Sequence, residues 1–455
     1  MRPRSLIVAV LALVLLVAGA AMLIAPSARV ASAYMAKTLC SEVFLAGREE
    51  EAVRAADFAD ISPAFDYVAL TLDADMKEAR ASLFGLGQAR AVYRDGFGCT
   101  IESGGIEPLQ TPPEIAAGAP WAEAFAGSSA ALARVDYAAL NTVLDEAMAD
   151  TIAATRALLV VVDGRIVAER YAEGFDAATP FLSWSMAKSV TGTLVGAAAE
   201  RGLIDIDAPA PVAEWKDARA AITWNDLMRM QSGLAFDETY GDPSSDVSRM
   251  LFAAHEAAAI AASQKPIYAP GAHWAYSSGT TNILARALRT ALEADGADYH
   301  AFPAEALFSP LGAASATMEV DSAGNFIGSS YVYATARDWA KLGQLYLNDG
   351  VWNGERLLPE GWSAYVASPA AASDGEYGAQ FWLNRDGDGR QRYLPGAPEN
   401  VYYFAGHEGQ YVFIVPDSNA VIVRTGITRG AVPIQVVAPT LARIVAAIGE
   451  PAGTE

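Results

Sequence analysis

Ser185 and Lys188, in Ser185-Met186-Ala187-Lys188, stand three apart at the start of a helical pattern. Residues at that spacing share one helix face, so the hydroxyl and the amine can touch. A serine hydroxyl is a weak nucleophile until a neighbouring base takes its proton. A lysine is that base only where burial or nearby cations favour its neutral form. Arginine cannot serve, because it does not deprotonate in proteins. Only six of the 32 basic residues are lysine, and Ser-x-x-Lys occurs once. Two further stretches could complete an acyl-transfer site. Tyr276-Ser277-Ser278 supplies a phenol able to accept or relay a proton. His407-Glu408-Gly409-Gln410 enters a strand, whose edge can present a backbone N–H to an oxyanion. The amide of Ser185, at a helix N-terminus, would be the second donor. Ser329-Ser330 is a second serine pair that could face the site. Trp184, Trp274, Tyr331, Tyr333, Tyr402 and Tyr403 lie near these motifs, either as pocket lining or as packing.

The elements that would carry these residues are legible in outline. Val135, Leu140, Val143, Leu144, Ala147 and Met148 give a 3.6-residue stripe and predict a helix. Ala157–Val162 and Arg165–Tyr171 flank Asp163-Gly164, a tight-turn pair that predicts a hairpin. Gln410–Val415 and Ala420–Arg424, around Pro416-Asp417-Ser418-Asn419, predict a second one. A closing helix runs to about Ile448. Helical patterns broken by prolines fill residues from about 205 to 325. Strands at both ends with helices between them predict an α+β fold: an antiparallel sheet flanked by helices with a helical insertion.

Ahead of this catalytic region, 133–455, the chain reads as three pieces. In residues 1–33, Arg2 and Arg4 precede Leu6–Ile24, 19 residues without a charge, and then Ala31-Ser32-Ala33. This is a membrane anchor or a cleaved signal, and either sends the rest across the inner membrane, to the periplasm or the extracytoplasmic face. Residues 34–105 form a small α/β unit, with strands at Tyr67–Leu72, Ala81–Phe84 and Arg90–Tyr93. Residues 106–132, with Pro108, Pro112 and Pro113, read as a linker. Cys40 and Cys99, the only cysteines, lie beyond the membrane segment and read as a disulfide or as two buried thiols. The net charge of -21 argues against nucleic acid as a partner. Four histidines and two cysteines show no metal-ligand spacing, and no dinucleotide or phosphate-loop motif occurs, so no cofactor is expected. The expected partner is a small-molecule or short-peptide substrate.

Five stretches in order carry a resemblance: Val162–Val167, Trp184–Ser189, Ile222–Leu234, Tyr276–Ser278 and Gly406–Gln410. From about Ala157 to Gly426 the chain resembles the serine β-lactamase and penicillin-binding protein superfamily. It is most similar to the class C β-lactamase-related hydrolases, and within them to the 6-aminohexanoate-dimer hydrolase branch. The resemblance implies a β-lactamase/transpeptidase-like fold. It implies Ser185 as acylated nucleophile, Lys188 and Tyr276 as the proton-handling pair, and the amides of Ser185 and Gln410 as oxyanion hole. Ser278, His407 and Gly409 would contact substrate. Ser278 replaces the Asn of Tyr-x-Asn, and His407 replaces the Lys of Lys-Thr-Gly, exchanging a permanent charge for one that titrates near neutrality. These exchanges favour a linear amide or an ester over a β-lactam. The rival readings are a penicillin-recognising D-amino-acid peptidase or β-lactamase, and a non-catalytic envelope binding protein.

Overall fold

A computed structural model describes residues 3–385 and 393–451, which leaves Arg2 outside the described residues. The chain divides into two compact units. The first comprises Met1–Pro108, Asp237–Ala257 and Asp321–Gly324; the second comprises Leu109–Phe236, Ala258–Val320 and Asn325–Glu455.

In the first unit, helix α1 (Pro3–Phe44) packs on a four-stranded antiparallel sheet. Its strands are β1 (Val68–Asp73), β2 (Glu78–Leu83), β3 (Leu86–Arg94) and β4 (Gly98–Ile101), in that spatial order. Ala79 faces Ala91 and Ala81 faces Ala89 across the β2–β3 pair, and all four are buried. Side chains this small let the helix lie close to the sheet. At Gly87 (φ 56) a Cβ would overlap the backbone of Ala28 and Arg29. Cys40 on α1 and Cys99 on β4 form a disulfide, with Cα atoms 6.0 Å apart. Buried Arg48 bridges Glu42 and Asp57, each at 2.8 Å. A short helix, Asp246–Phe252, brings Phe252 against Tyr34, ring centroids 5.5 Å apart.

Ala31-Ser32-Ala33 lies inside α1, which continues through the boundary expected at residue 33; Ser32 and Ala33 are fully buried. Much of Leu6–Ile24 falls on residues whose side chains lie outside the described set. Among the described residues, no helix is long and apolar enough to cross a membrane. The strand expected at Ala81–Phe84 starts earlier, at Glu78, and ends before Phe84, where φ 51 turns the chain. Its polar start escapes the apolar-run criterion because Glu78 is buried by pairing with Arg80 and Arg90.

In the second unit, α2 (Tyr137–Ala149) starts at Asp136, whose carboxylate accepts from the amides of Ala138 (3.1 Å) and Ala139 (3.0 Å). Its stripe of Leu140, Val143, Leu144 and Ala147 is buried, with Val135 just ahead of the helix. The hairpin of β5 (Thr155–Val162) and β6 (Arg165–Tyr171) closes through Asp163 and Gly164, with φ 49 and 70 as a primed turn requires. β7 (Phe181–Leu182) leads into α3 (Met186–Glu200), and α4 (Ser278–Ala294) follows the proline-broken region. β8 (Thr317–Met318), β9 (Val332–Ala334) and α5 (Ala336–Leu347) come next. Then follow β10 (Trp382–Leu383), β11 (Tyr402–Gly406), β12 (Gln410–Val415), β13 (Ala420–Gly426) and α6 (Pro433–Ile448).

The main sheet is antiparallel, in the order β10-β11-β12-β13-β5-β6; a small sheet has the order β7-β9-β8. α2 and α6 cover one face, where Leu140, Leu144, Leu158, Val160, Phe413, Ile422, Leu441 and Ile444 join one core. On the other face Gly343 of α5 lies against Val412 and Val421. Strands covered on both faces read as continuous apolar runs, which is why β5 and β13 were visible in the sequence. The fold is α+β, an antiparallel sheet flanked by helices.

Candidate active site

Ser185 caps the N-terminus of α3 with φ -67 and ψ -5. Just before it, Trp184 is held at φ 44, a left-handed conformation that costs a bulky residue on the order of 1–3 kcal/mol. The small sheet holds this turn in place. The Ser183 amide donates to the Val332 carbonyl (2.8 Å), and the Ser183 hydroxyl accepts from the Val332 amide (3.0 Å). At Gly406 a Cβ would overlap the Ser183 carbonyl, so the end of β11 presses directly on the turn that carries Ser185.

Lys188 is buried one turn into α3. Its Nζ donates to Ser185 Oγ at 2.9 Å, to Ser278 Oγ at 2.9 Å and to the Ser329 carbonyl at 3.0 Å. The same Nζ lies 4.9 Å from the centroid of the Tyr276 ring. Tyr276 ends the loop before α4, where Ser277 Oγ caps the helix by accepting from the Thr280 amide at 3.0 Å. Trp382 and Tyr377 stand around the Tyr276 ring, centroids at 5.4 and 5.9 Å.

Ser278, expected to contact substrate, is fully buried and its hydroxyl accepts from Lys188 Nζ. Ser329, one of the expected serine pair, enters through its main chain. Asn282 fixes it from α4, accepting from the Ser329 amide (3.2 Å) and donating to its hydroxyl (3.1 Å). Asn282 was missed in the sequence, although its place four residues after Ser278 puts it on the same helix face. Tyr402 and Tyr403 are buried, Tyr403 in the sheet core, so they pack and do not line an opening.

His407, Glu408 and Gly409 form a tight turn between β11 and β12. The His407 ring meets Trp184 edge-on, centroids 5.6 Å apart. One side of this imidazole is open to solvent, yet the surrounding protein desolvates it and draws its pKa below the ordinary 6.5. Glu408 opposes that shift and the Arg429 cation adds to it. The imidazole is therefore neutral at pH 7, and the charge expected near neutrality moves to lower pH. Glu408 is itself buried in a pair with Arg429. Gln410, at the start of β12, is locked by its side chain, which donates to the His407 carbonyl (3.0 Å) and the Gly426 carbonyl (2.6 Å). In the first turn of α3 the amides of Met186, Ala187 and Lys188 are taken by the carbonyls of Ser183, Trp184 and Ser185. No described residue accepts from the Ser185 amide.

A serine hydroxyl 2.9 Å from a buried lysine amine, on a helix against an antiparallel sheet, is an arrangement able to support acyl transfer. The family model described as Beta-lactamase matches residues 140–445. A 6-aminohexanoate-dimer hydrolase of Paenarthrobacter ureafaciens is 27% identical over 303 residues, 59% of this chain and 72% of that protein. A Bacillus anthracis structure assigned as a candidate 6-aminohexanoate-dimer hydrolase superposes with a TM-score of 0.56 at 22% identity, over 74% of this chain and 90% of the other. A penicillin binding protein from Bacillus halodurans superposes with a TM-score of 0.52 at 15% identity, over 67% of this chain and all of the other (100%). The matched span runs from α2 into α6 and holds both Ser185 and Lys188, and the chain belongs to the Beta-lactamase family.

Proposed function

We propose that this chain is an exported serine hydrolase that cleaves an ester or a linear amide through an acyl-enzyme. The observation that carries the reading is the 2.9 Å approach of Lys188 Nζ to Ser185 Oγ. Neutral Lys188, with Tyr276 beside it, takes the Ser185 proton as Oγ attacks the substrate carbonyl. The amides of Ser185 and Gln410 receive the oxyanion. Collapse of the tetrahedral intermediate expels the amine or alcohol, which leaves with the proton held by the Lys188–Tyr276 pair. Water, deprotonated by the same pair, then releases the acid and restores Ser185. Lys188 Nζ lies 4.9 Å from the centroid of the Tyr276 ring, which sets the phenol beside the amine. The 27% identical 6-aminohexanoate-dimer hydrolase supports a linear amide as substrate. A neutral His407 supports it too, because it leaves no fixed cation at that position for the carboxylate of a penicillin.

Export rests on the charge-free stretch Leu6–Ile24 after Arg4, and on the Cys40–Cys99 disulfide, which belongs in an oxidising compartment. Leu11, Leu15, Leu16, Met22 and Leu23 of α1 are exposed, a disposition that suits a lipid environment better than water. The reading therefore keeps the N-terminal part of α1, around Leu6–Ile24, as the membrane-associated segment.

Labelling with a fluorophosphonate, read as intact mass, tests the site. One adduct is expected on the wild type and none on Ser185→Ala. An adduct that persists in the variant overturns Ser185. A wild-type protein that stays unlabelled by fluorophosphonate and by fluorescent penicillin returns the chain to a binding role.

A further inference from the structure

We propose that Arg424 is the positioning residue of the oxyanion hole: it sets the direction of the Gln410 amide from the far side of the sheet. This rests on the acyl-enzyme reading above. Arg424 lies on β13 opposite Tyr411 and is 2% exposed. Among the described residues no carboxylate pairs with it. Its guanidinium is spent on carbonyls and threonine hydroxyls instead: Nη1 donates to the carbonyls of Gly409 (2.6 Å) and Glu408 (3.2 Å), and Nε to Thr155 Oγ1 (3.4 Å). Nη2 donates to the Ala153 carbonyl and to Thr428 Oγ1 (2.9 Å). Burial lowers its pKa to about 10, still far above neutrality, so the cation is permanent.

A planar trans peptide points its C=O and its N–H in opposite directions. The Gly409 carbonyl and the Gln410 amide belong to one such peptide, and the Glu408 carbonyl and the Gly409 amide to the one before it. Holding both carbonyls on the guanidinium turns both amides away from it. The turn is not one the backbone would keep unaided, since Glu408 sits at φ 60 and Gly409 at φ 88. A Cβ on Gly409 would overlap Arg424 Nη1, so glycine is what allows the guanidinium to come this close. The Thr428 amide adds a second clamp on the Glu408 carbonyl, at 2.9 Å. A buried cation facing carbonyls also fixes the local field at the peptide whose amide must meet a developing negative charge.

The test compares Arg424→Lys, Arg424→Met and Thr428→Val on an uncharged ester and its thionoester. Loss of one oxyanion donor costs about 10²–10³ in kcat. Arg424→Met should approach that range, Arg424→Lys should lose about tenfold and Thr428→Val less, with KM held within about twofold. The wild-type preference for the ester over the thionoester, which reports hydrogen bonds to the carbonyl oxygen, should shrink in step. A purely structural role would lower thermal stability without moving that preference. Should Arg424→Met fail to fold, the other two variants carry the decision. Folded variants with wild-type kcat and an unchanged ester preference overturn the proposal. A wild-type protein that no fluorophosphonate labels overturns the hydrolase reading instead, so the two failures are distinct.

Discussion

Lys188 Nζ reaches Ser185 Oγ, Ser278 Oγ and the Ser329 carbonyl, each an acceptor for a proton of an ammonium. A neutral amine has two protons and a lone pair. If Ser278 and Ser329 keep the two protons, the lone pair faces Ser185, whose own proton can then cross. The same heavy-atom arrangement thus serves both protonation states, and transfer needs only a reversal of one hydrogen bond. Lys188→Met should lower the rate of fluorophosphonate labelling by about 10²–10⁴ while leaving the fold intact, as loss of a positioned base does. Ser278→Ala should slow the chemical step with little change in KM for an ester; a change confined to KM would restore Ser278 to substrate contact. His407 supplies a pH signature. Its pKa lies below 6.5, so it is neutral at pH 7 and gains its charge only as the pH falls further. A substrate carboxylate stays ionised through that window. KM for a carboxylate-bearing ester should therefore fall as the pH drops below 6.5, against a flat profile for an uncharged ester and for His407→Gln.

At the scale of elements, the first unit depends on close contact between α1 and its sheet. Gly87→Val adds a branched side chain where Ala28 and Arg29 already fill the space, at a φ such residues avoid. It should cost about 3 kcal/mol, read as a lower urea midpoint for unfolding of that unit. Cys99→Ala removes a link 59 residues apart in sequence and should cost about 2–5 kcal/mol. What the sequence revealed of these elements follows from burial. Strands covered on both faces, such as Ala157–Val162 and Ala420–Arg424, announce themselves by unbroken apolar runs. The Asp163-Gly164 turn does so by chemistry. Ser185, Lys188 and Tyr276 were singled out because the nucleophile and proton-handling pair proposed here need particular residue types, and the first two a particular spacing. Asn282 and Arg424 were not, because a residue that acts through its neighbours has no required spacing from the reacting atoms. The one trace Arg424 leaves is a cation ending the apolar run Val421-Ile422-Val423 on a central strand. Glu78 shows the same limit in reverse: its charge hid the start of a strand that only its partners Arg80 and Arg90 make tolerable.

At the scale of the whole molecule, α1 is one helix through position 33, with Ser32 and Ala33 fully buried. Cleavage after Ala33 would cut that helix and remove Arg29, which donates to the Gln88 carbonyl and to the Glu102 carbonyl. The chain should therefore fractionate with membranes and keep its N-terminal segment by intact mass; a soluble form beginning at Tyr34 would contradict this. The division into units has a practical consequence. The first unit is not one continuous stretch, because Asp237–Ala257, embedded in the sequence of the second, belongs to it. No single cut separates the two. A shortened chain beginning at Leu109 would still carry the helix Asp246–Phe252, and Val247, Met250, Leu251 and Phe252 would lose their shelter. That chain should aggregate on expression, and replacing 237–257 by a short Gly-Ser bridge should return it to solution. Whatever trims this enzyme, in the laboratory or in evolution, has to edit more than one stretch at once.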